Sequence, residues 1–227
     1  MDHLLKEFHS TQFDGFPAQV IPVNPILATP VPVVALPLNL DTKFLLEQSK
    51  QIPIQPMVRK TYPYEDYPRF INWDVSVLWS EDYENTLLGD VYYKKRTAPI
   101  DNLIPTEWSL SIKEHLSSNG ILLNYCVLSV FGPGGYVRPH RDIGLNSTPL
   151  NYVWIPLNNP QGNELKIYPY GTVDVTLGNV YLLNQENFVH SVINNSNEHR
   201  YVLVGHISEV TDKFSDLVKE NILQQYG

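Results

Sequence analysis

His140 and Asp142, an imidazole and a carboxylate, stand either side of one residue in the stretch Phe131-Gly-Pro-Gly-Gly-Tyr-Val-Arg-Pro-His140-Arg-Asp142. At the end of an extended strand, side chains at i and i+2 share a face, so the two can converge on one metal ion. A third donor, His190, follows the strand-like run Asn179 to Asn184. Two imidazoles and one carboxylate make the facial donor set of non-haem Fe(II), which leaves coordination positions open for other ligands. The same donors also make hydrolytic zinc sites, but nothing in the chain resembles the His-Glu-x-x-His helix of those enzymes. Arg200 opens the apolar run Tyr201-Val-Leu-Val-Gly-His206. A guanidinium fork beside a metal suits a bidentate carboxylate, for which hydrolytic zinc has no use.

The remaining histidines act as a control. His3, His9 and His115 lie in terminal or helical segments with no carboxylate partner nearby. His199 points to the opposite face of its strand from Arg200. His206 shares the parity of Arg200 but falls about 20 Å away at normal strand rise. None of these is expected to bind the metal.

The order His140, Asp142, His190, Arg200 resembles that of the Fe(II)/2-oxoglutarate-dependent dioxygenases. More narrowly, Ser129-Val-Phe-Gly-Pro-Gly-Gly-Tyr-Val-Arg-Pro-His140 and Asn187-Phe-Val-His190-Ser-Val are similar to the aspartyl/asparaginyl β-hydroxylase-like branch, which includes free-proline hydroxylases. The resemblance runs from Asn124 to Ile207. It implies a double-stranded β-helix and a hydroxylase that uses Fe(II), 2-oxoglutarate and O2 and releases succinate and CO2. His140, Asp142 and His190 would hold the metal. Arg200 would pair with the distal carboxylate of the co-substrate, and Ser129 matches by position a serine that hydrogen-bonds a carboxylate of 2-oxoglutarate. Some hydroxylases of the branch carry glycine in place of the acidic ligand, whereas Asp142 is present here. A retained carboxylate argues against halogenation, which needs that position for halide. After the His-x-Asp turn the branch carries a basic residue near the co-substrate. This chain reads Asn151-Tyr-Val-Trp154 there, and Asn151 is the expected substitute. Arg138 and Arg141, on either side of His140, are candidates for a substrate carboxylate, in a free amino acid or in an Asp, Asn or Pro side chain within a peptide. The rival expectation is a non-catalytic cupin-like module that binds a metal or small ligand. A metal-dependent isomerase on the same barrel is a third.

These residues need a barrel to position them. From Ile121 onward, short apolar runs alternate with breakers: Ile121–Phe131, Tyr136–His140, Leu150–Leu157, Glu164–Tyr168, Thr172–Val175, Val180–Leu183, Val189–Ile193 and Arg200–His206. This pattern predicts a mainly β, jelly-roll or cupin-like double-sheet barrel over 121–207. Flanking helices are expected at Thr42–Lys50, capped by Asp41 with Phe44, Leu45 and Gln48 inward, and at Pro105–Leu116 with Trp108, Ile112 and Leu116 inward. A last helix is expected at Lys213–Gln224, within 208–227, capped by Asp212. Before the barrel, residues 1–120 form a supporting segment. The prolines up to Pro37 deny a long helix and leave extended pieces wrapped on the body. Ile71, Trp73, Val75 and Val77 alternate as in a strand within an aromatic-rich segment, 55–93.

With 227 residues, 43% hydrophobic and 18% charged, the chain fits one globular domain. A net charge of −8 disfavours nucleic acid or an anionic membrane as the main partner, and Lys94-Lys95-Arg96 reads as a solvated loop. No apolar run approaches the roughly 20 residues of a membrane span. The single cysteine, Cys126, fits a buried small hydrophobe and forbids an intramolecular disulfide. The start, Met1-Asp-His-Leu-Leu-Lys-Glu, lacks the order of a signal peptide, which makes the cytoplasm the expected location. A small-molecule or peptide substrate is expected, and the oligomeric state stays open.

Overall fold

The computed structural model describes residues 31–56, 70–80, 107–141, 150, 152–185 and 187–227. Asp142, Asn151, Lys94-Lys95-Arg96, Pro105, the first 30 residues and most of the aromatic-rich segment lie outside them.

The first described element is a strand, β1 (Val33–Leu36), followed by helix α1 (Thr42–Ser49) and strands β2 (Gln55–Pro56) and β3 (Phe70–Ser80). Helix α2 (Glu107–Ser118) leads into the long β4 (Ile121–His140). Then come β5 (Tyr152–Pro156), β6 (Asn163–Ile167), β7 (Gly171–Thr172), β8 (Val180–Leu183), β9 (His190–Asn194), β10 (Arg200–Val210) and helix α3 (Asp212–Tyr226). Among the described residues every strand pairing is antiparallel. The order is β1-β8-β5-β10-β4-β9-β6-β7, with β3 also on β4 and β2 on β3. The architecture is the expected jelly-roll.

β4 makes the barrel turn a corner. The sequence pattern splits it in two, yet it runs unbroken through Gly132-Pro133-Gly134-Gly135. Its first half pairs with β3 and β10, and its second half pairs with β9 and, through Tyr136 and Val137, with the start of β3. Gly135 allows the fold-over: a Cβ there would sit 2.7 Å from the Asn72 and Gly132 carbonyl oxygens.

Alternation gives the sheet two buried faces. The inner face carries Val127, Trp154, Tyr181, Leu183, Val202 and Val204. The outer face carries Leu128, Val130, Val153, Ile155, Leu182 and Leu203, and the helices cover it with Leu45, Trp108, Ile112, Leu116, Phe214 and Val218. The stripe Trp108, Ile112, Leu116 is as expected, at helical i, i+4, i+8 spacing.

Four sequence expectations need correction. α1 buries Leu45 and Ser49, an i, i+4 pair, so Phe44 is left exposed and Gln48 half-buried. The cap of α3 is Thr211, whose hydroxyl accepts from Phe214 N at 3.1 Å, while Asp212 sits in the first turn facing the helix dipole. Between α2 and β4, Gly120 at φ 81° lies against that cap, and a Cβ there would come within 2.8 Å of Phe214 N and Thr211 Oγ1. Third, Val33–Leu36 is a strand of the barrel sheet, not a wrapping piece: Pro32 and Pro37 fall just outside it and leave its N–H groups able to pair with β8. Last, the strand expected over Thr172–Val175 is only Gly171–Thr172, and β10 runs past His206 to Val210.

Candidate active site

His140 is the last residue of β4 and His190 the first of β9, and the two are cross-strand partners. Spacing alone would not bring them to one face. Val137 pairs with Val192, so three steps along β4 match two along β9. The extra residue is a bulge at Arg138-Pro139, where Pro139 has no N–H to offer the ladder. The bulge restores parity: His190 and Val192 share the inner face, and His140 joins them. Both rings are buried, with centroids 4.2 Å apart. His140 Nδ1 lies 2.7 Å from the Arg138 carbonyl oxygen. A carbonyl only accepts, so Nδ1 carries the proton, and in the neutral ring Nε2 is the nitrogen of metal-binding type.

β4 ends at His140, and the expected convergence of Asp142 on the same face lies outside the described residues. Among the described residues no cluster of three or more His, Cys, Asp or Glu side chains could hold a metal, and Asp142 lies outside them. Arg138 and Arg141 have half-buried side chains on either side of His140. It is the backbone of Arg138 that touches the imidazole.

Arg200 opens β10 opposite Phe131 on the inner face. Its side chain is fully buried, and among the described residues none of its three guanidinium nitrogens has a hydrogen-bond partner. Instead it lies between rings, with Cζ 5.0 Å from the centroid of Trp154 and 5.8 Å from that of Phe131. Burial pushes its pKa down to about 9, with Tyr152 pulling weakly the other way. Cation–π contacts recover only part of what desolvating a charge costs. A buried cation of this kind calls for an anion.

Ser129 stands two residues before Phe131 on the same face, opposite Val202 of β10 and Val75 of β3. Trp73 stacks on Phe131, with centroids 5.3 Å apart and planes at 12°, and its Nε1 donates to Ser129 Oγ at 2.7 Å. An indole only donates, so Ser129 is the acceptor and its own hydrogen remains available to an incoming oxygen.

The two excluded histidines lie where parity puts them. His206 faces inward between Tyr125 and Tyr152, with centroids 5.1 and 5.3 Å away. His199 is exposed. The sequence reading missed Trp73, Phe131 and Trp154 around Arg200. The alternation of Ile71, Trp73, Val75 and Val77 places Trp73 in a strand, but no pattern in the sequence ties these rings to Arg200. Two amides were also missed. Asn158 brackets the start of β10 with bonds to His199 O and Tyr201 N. The fully buried Asn194 donates to Phe131 O, Gly132 O and Glu198 O.

Comparison with known proteins bears on this arrangement. Among solved structures, an oxidoreductase of the 2OG-Fe(II) oxygenase family from Burkholderia pseudomallei aligns at 17% identity, over 78% of this chain and 85% of that one, with a TM-score of 0.50. A prolyl-4-hydroxylase from Pseudomonas putida aligns at 18% identity, over 84% and 97%, with a TM-score of 0.46. At 17% identity the first likeness concerns the fold alone. No curated protein matches. The family model of the aspartyl/asparaginyl β-hydroxylases matches residues 42–209, which take in α1, α2 and the strands from β2 through all but the last residue of β10. The chain therefore belongs to the aspartyl/asparaginyl β-hydroxylase family and is a 2-oxoglutarate-dependent hydroxylase whose cofactors are Fe(II), 2-oxoglutarate and O2.

Proposed function

We propose that the chain hydroxylates an amino-acid-type substrate, a free amino acid or an Asp, Asn or Pro side chain, and that His140, His190 and Asp142 hold its iron. Arg200 takes the distal carboxylate of 2-oxoglutarate, with Ser129 donating beside it. The observation that carries this reading is the fully buried guanidinium of Arg200, without a hydrogen-bond partner among the described residues, on the inner face of the same barrel as the facing imidazoles. The donor set fits the metal: His140 offers Nε2, and the His190 ring stands beside it. When bound there, Fe(II) supplies the activation of dioxygen, coupled to conversion of 2-oxoglutarate to succinate and CO2.

The chain's own residues contribute geometry and a dry interior. Phe131 and Trp154 flank the guanidinium and exclude water around the ion pair it forms. Arg138 fixes the His140 tautomer through its carbonyl. The side chains of Arg138 and Arg141, at the strand end beside the metal, are the proposed partners of a substrate carboxylate. Asn151 keeps its assignment near the co-substrate.

Anaerobic addition of Fe(II) and 2-oxoglutarate should give the weak visible charge-transfer band of such chelates. Incubation in air with a panel of amino acids and short peptides should then add one oxygen atom to a member of the panel, read by mass spectrometry, with succinate formed alongside. A band with no oxygenated amino acid or peptide would place the substrate in another chemical class. No band would remove the assigned ligands.

A further inference from the structure

We propose that Asn158 is a positioning residue for Arg200 and, through it, sets selectivity for a dicarboxylate co-substrate. This rests on the reading of Arg200 given above. Because no hydrogen bond among the described residues holds the guanidinium, its aim depends on the backbone at residue 200 and on the two flanking rings. What fixes that backbone fixes the aim.

On one side β4 does so, through the Arg200–Phe131 pairing. On the other side the β5 ladder runs from Tyr152 to Pro156, opposite His206 to Val202, and stops short of Arg200. Leu157 N donates to Tyr201 O at 2.9 Å, and there the chain turns away. The side chain of Asn158 continues the ladder. Its Nδ2 donates to His199 O at 2.8 Å and its Oδ1 accepts from Tyr201 N at 2.8 Å. These are the backbone groups on either side of Arg200, the ones a further peptide unit of β5 would engage. A carboxamide carries a donor and an acceptor with the geometry of a peptide, which neither a carboxylate nor a hydroxyl reproduces. Asn194 anchors the lead-in at Glu198 O and the corner at Phe131 O, so the amide of Asn158 closes the remaining side of the frame around Arg200.

The test separates aim from bulk stability by the choice of ligand. The Fe(II)-loaded chain is titrated anaerobically with 2-oxoglutarate and with 2-oxobutyrate, which chelates through the same keto-acid end but lacks the distal carboxylate. The visible band reports binding. Asn158→Ala should weaken 2-oxoglutarate about tenfold and leave 2-oxobutyrate within about twofold, since a small misplacement acts only on the group Arg200 meets. Equal weakening of both acids, or of neither, overturns the proposal. If the alanine variant fails to fold, the isosteric Asn158→Asp, which loses the donor to His199 O, gives the same readout. Arg200→Met serves as the reference. If Arg200→Met leaves the preference for 2-oxoglutarate unchanged, the assignment of Arg200 itself is wrong. If Arg200→Met removes the preference and the Asn158 variants keep it, only the role of Asn158 falls.

Discussion

His140 and His190 face each other across β4 and β9 as register partners, with ring centroids 4.2 Å apart, because one bulge at Arg138-Pro139 turns the end of β4 inward. The expected consequence is that either imidazole is indispensable for the metal, while the barrel survives without it. His140→Ala and His190→Ala should each abolish Fe(II)-dependent succinate formation and weaken Mn(II) binding by at least about a hundredfold, with melting curves still cooperative. Retained succinate formation in either variant would remove that residue from the site.

Arg200 is a buried cation without a hydrogen-bond partner among the described residues, so it costs stability in the free chain. Arg200→Met, which fills the same space without charge, should make the free chain more stable by roughly 1 to 4 kcal/mol in urea unfolding, the range found when buried charges give way to apolar side chains. The same variant should lose the stabilisation that 2-oxoglutarate gives the parent. A destabilised Met variant would mean that the guanidinium already has a counter-ion.

The Trp73–Ser129 bond makes a directional statement. Since Trp73 donates, Ser129 is free to donate in turn, and Ser129→Ala should raise the Kd for 2-oxoglutarate by several-fold, in keeping with one hydrogen bond to a charged acceptor. Trp73→Phe keeps a ring to stack on Phe131 and removes the N–H. Its effect should shrink in the Ser129→Ala background, and strict additivity in that double-mutant cycle would deny the coupling.

The pH dependence follows from Arg200. Burial lowers its pKa to about 9 in the free chain, and a bound carboxylate favours the charged form and raises it again. Above about pH 9, then, binding takes up a proton. Affinity for 2-oxoglutarate should be flat from about pH 7 to about pH 9 and decline above, by at most about tenfold per pH unit. For folding the sign is opposite: the unfolded guanidinium holds its proton to higher pH, so this group's contribution to stability rises as pH climbs past 9. Calorimetric titration between about pH 8 and about pH 10.5 reads the first effect, and a flat profile would contradict it.

By itself, the sequence determined the chemistry on offer and the frame that carries it. The order of His140, Asp142, His190 and Arg200, the alternating apolar runs after Ile121 and the helical stripe of Trp108, Ile112 and Leu116 are all local patterns, and local patterns are what periodicity reports. Residue types also carry weight, as an Arg opening an apolar strand does. Tertiary structure decided which side chains meet. Parity counted along β4 fails at the Arg138-Pro139 bulge, because one unpaired residue moves His140 to the other face and only the partner strand shows where it lies. The rings around Arg200 come from the strands on either side of β10, Phe131 on β4 with Trp73 of β3 stacked on it, and Trp154 on β5, and no spacing rule links them. Asn158 and Asn194 read in sequence as turn residues. The Asn158 amide reaches His199 O and Tyr201 N, and the Asn194 amide reaches Phe131 O and Gly132 O, partners more than 40 residues away that the sheet alone brings together.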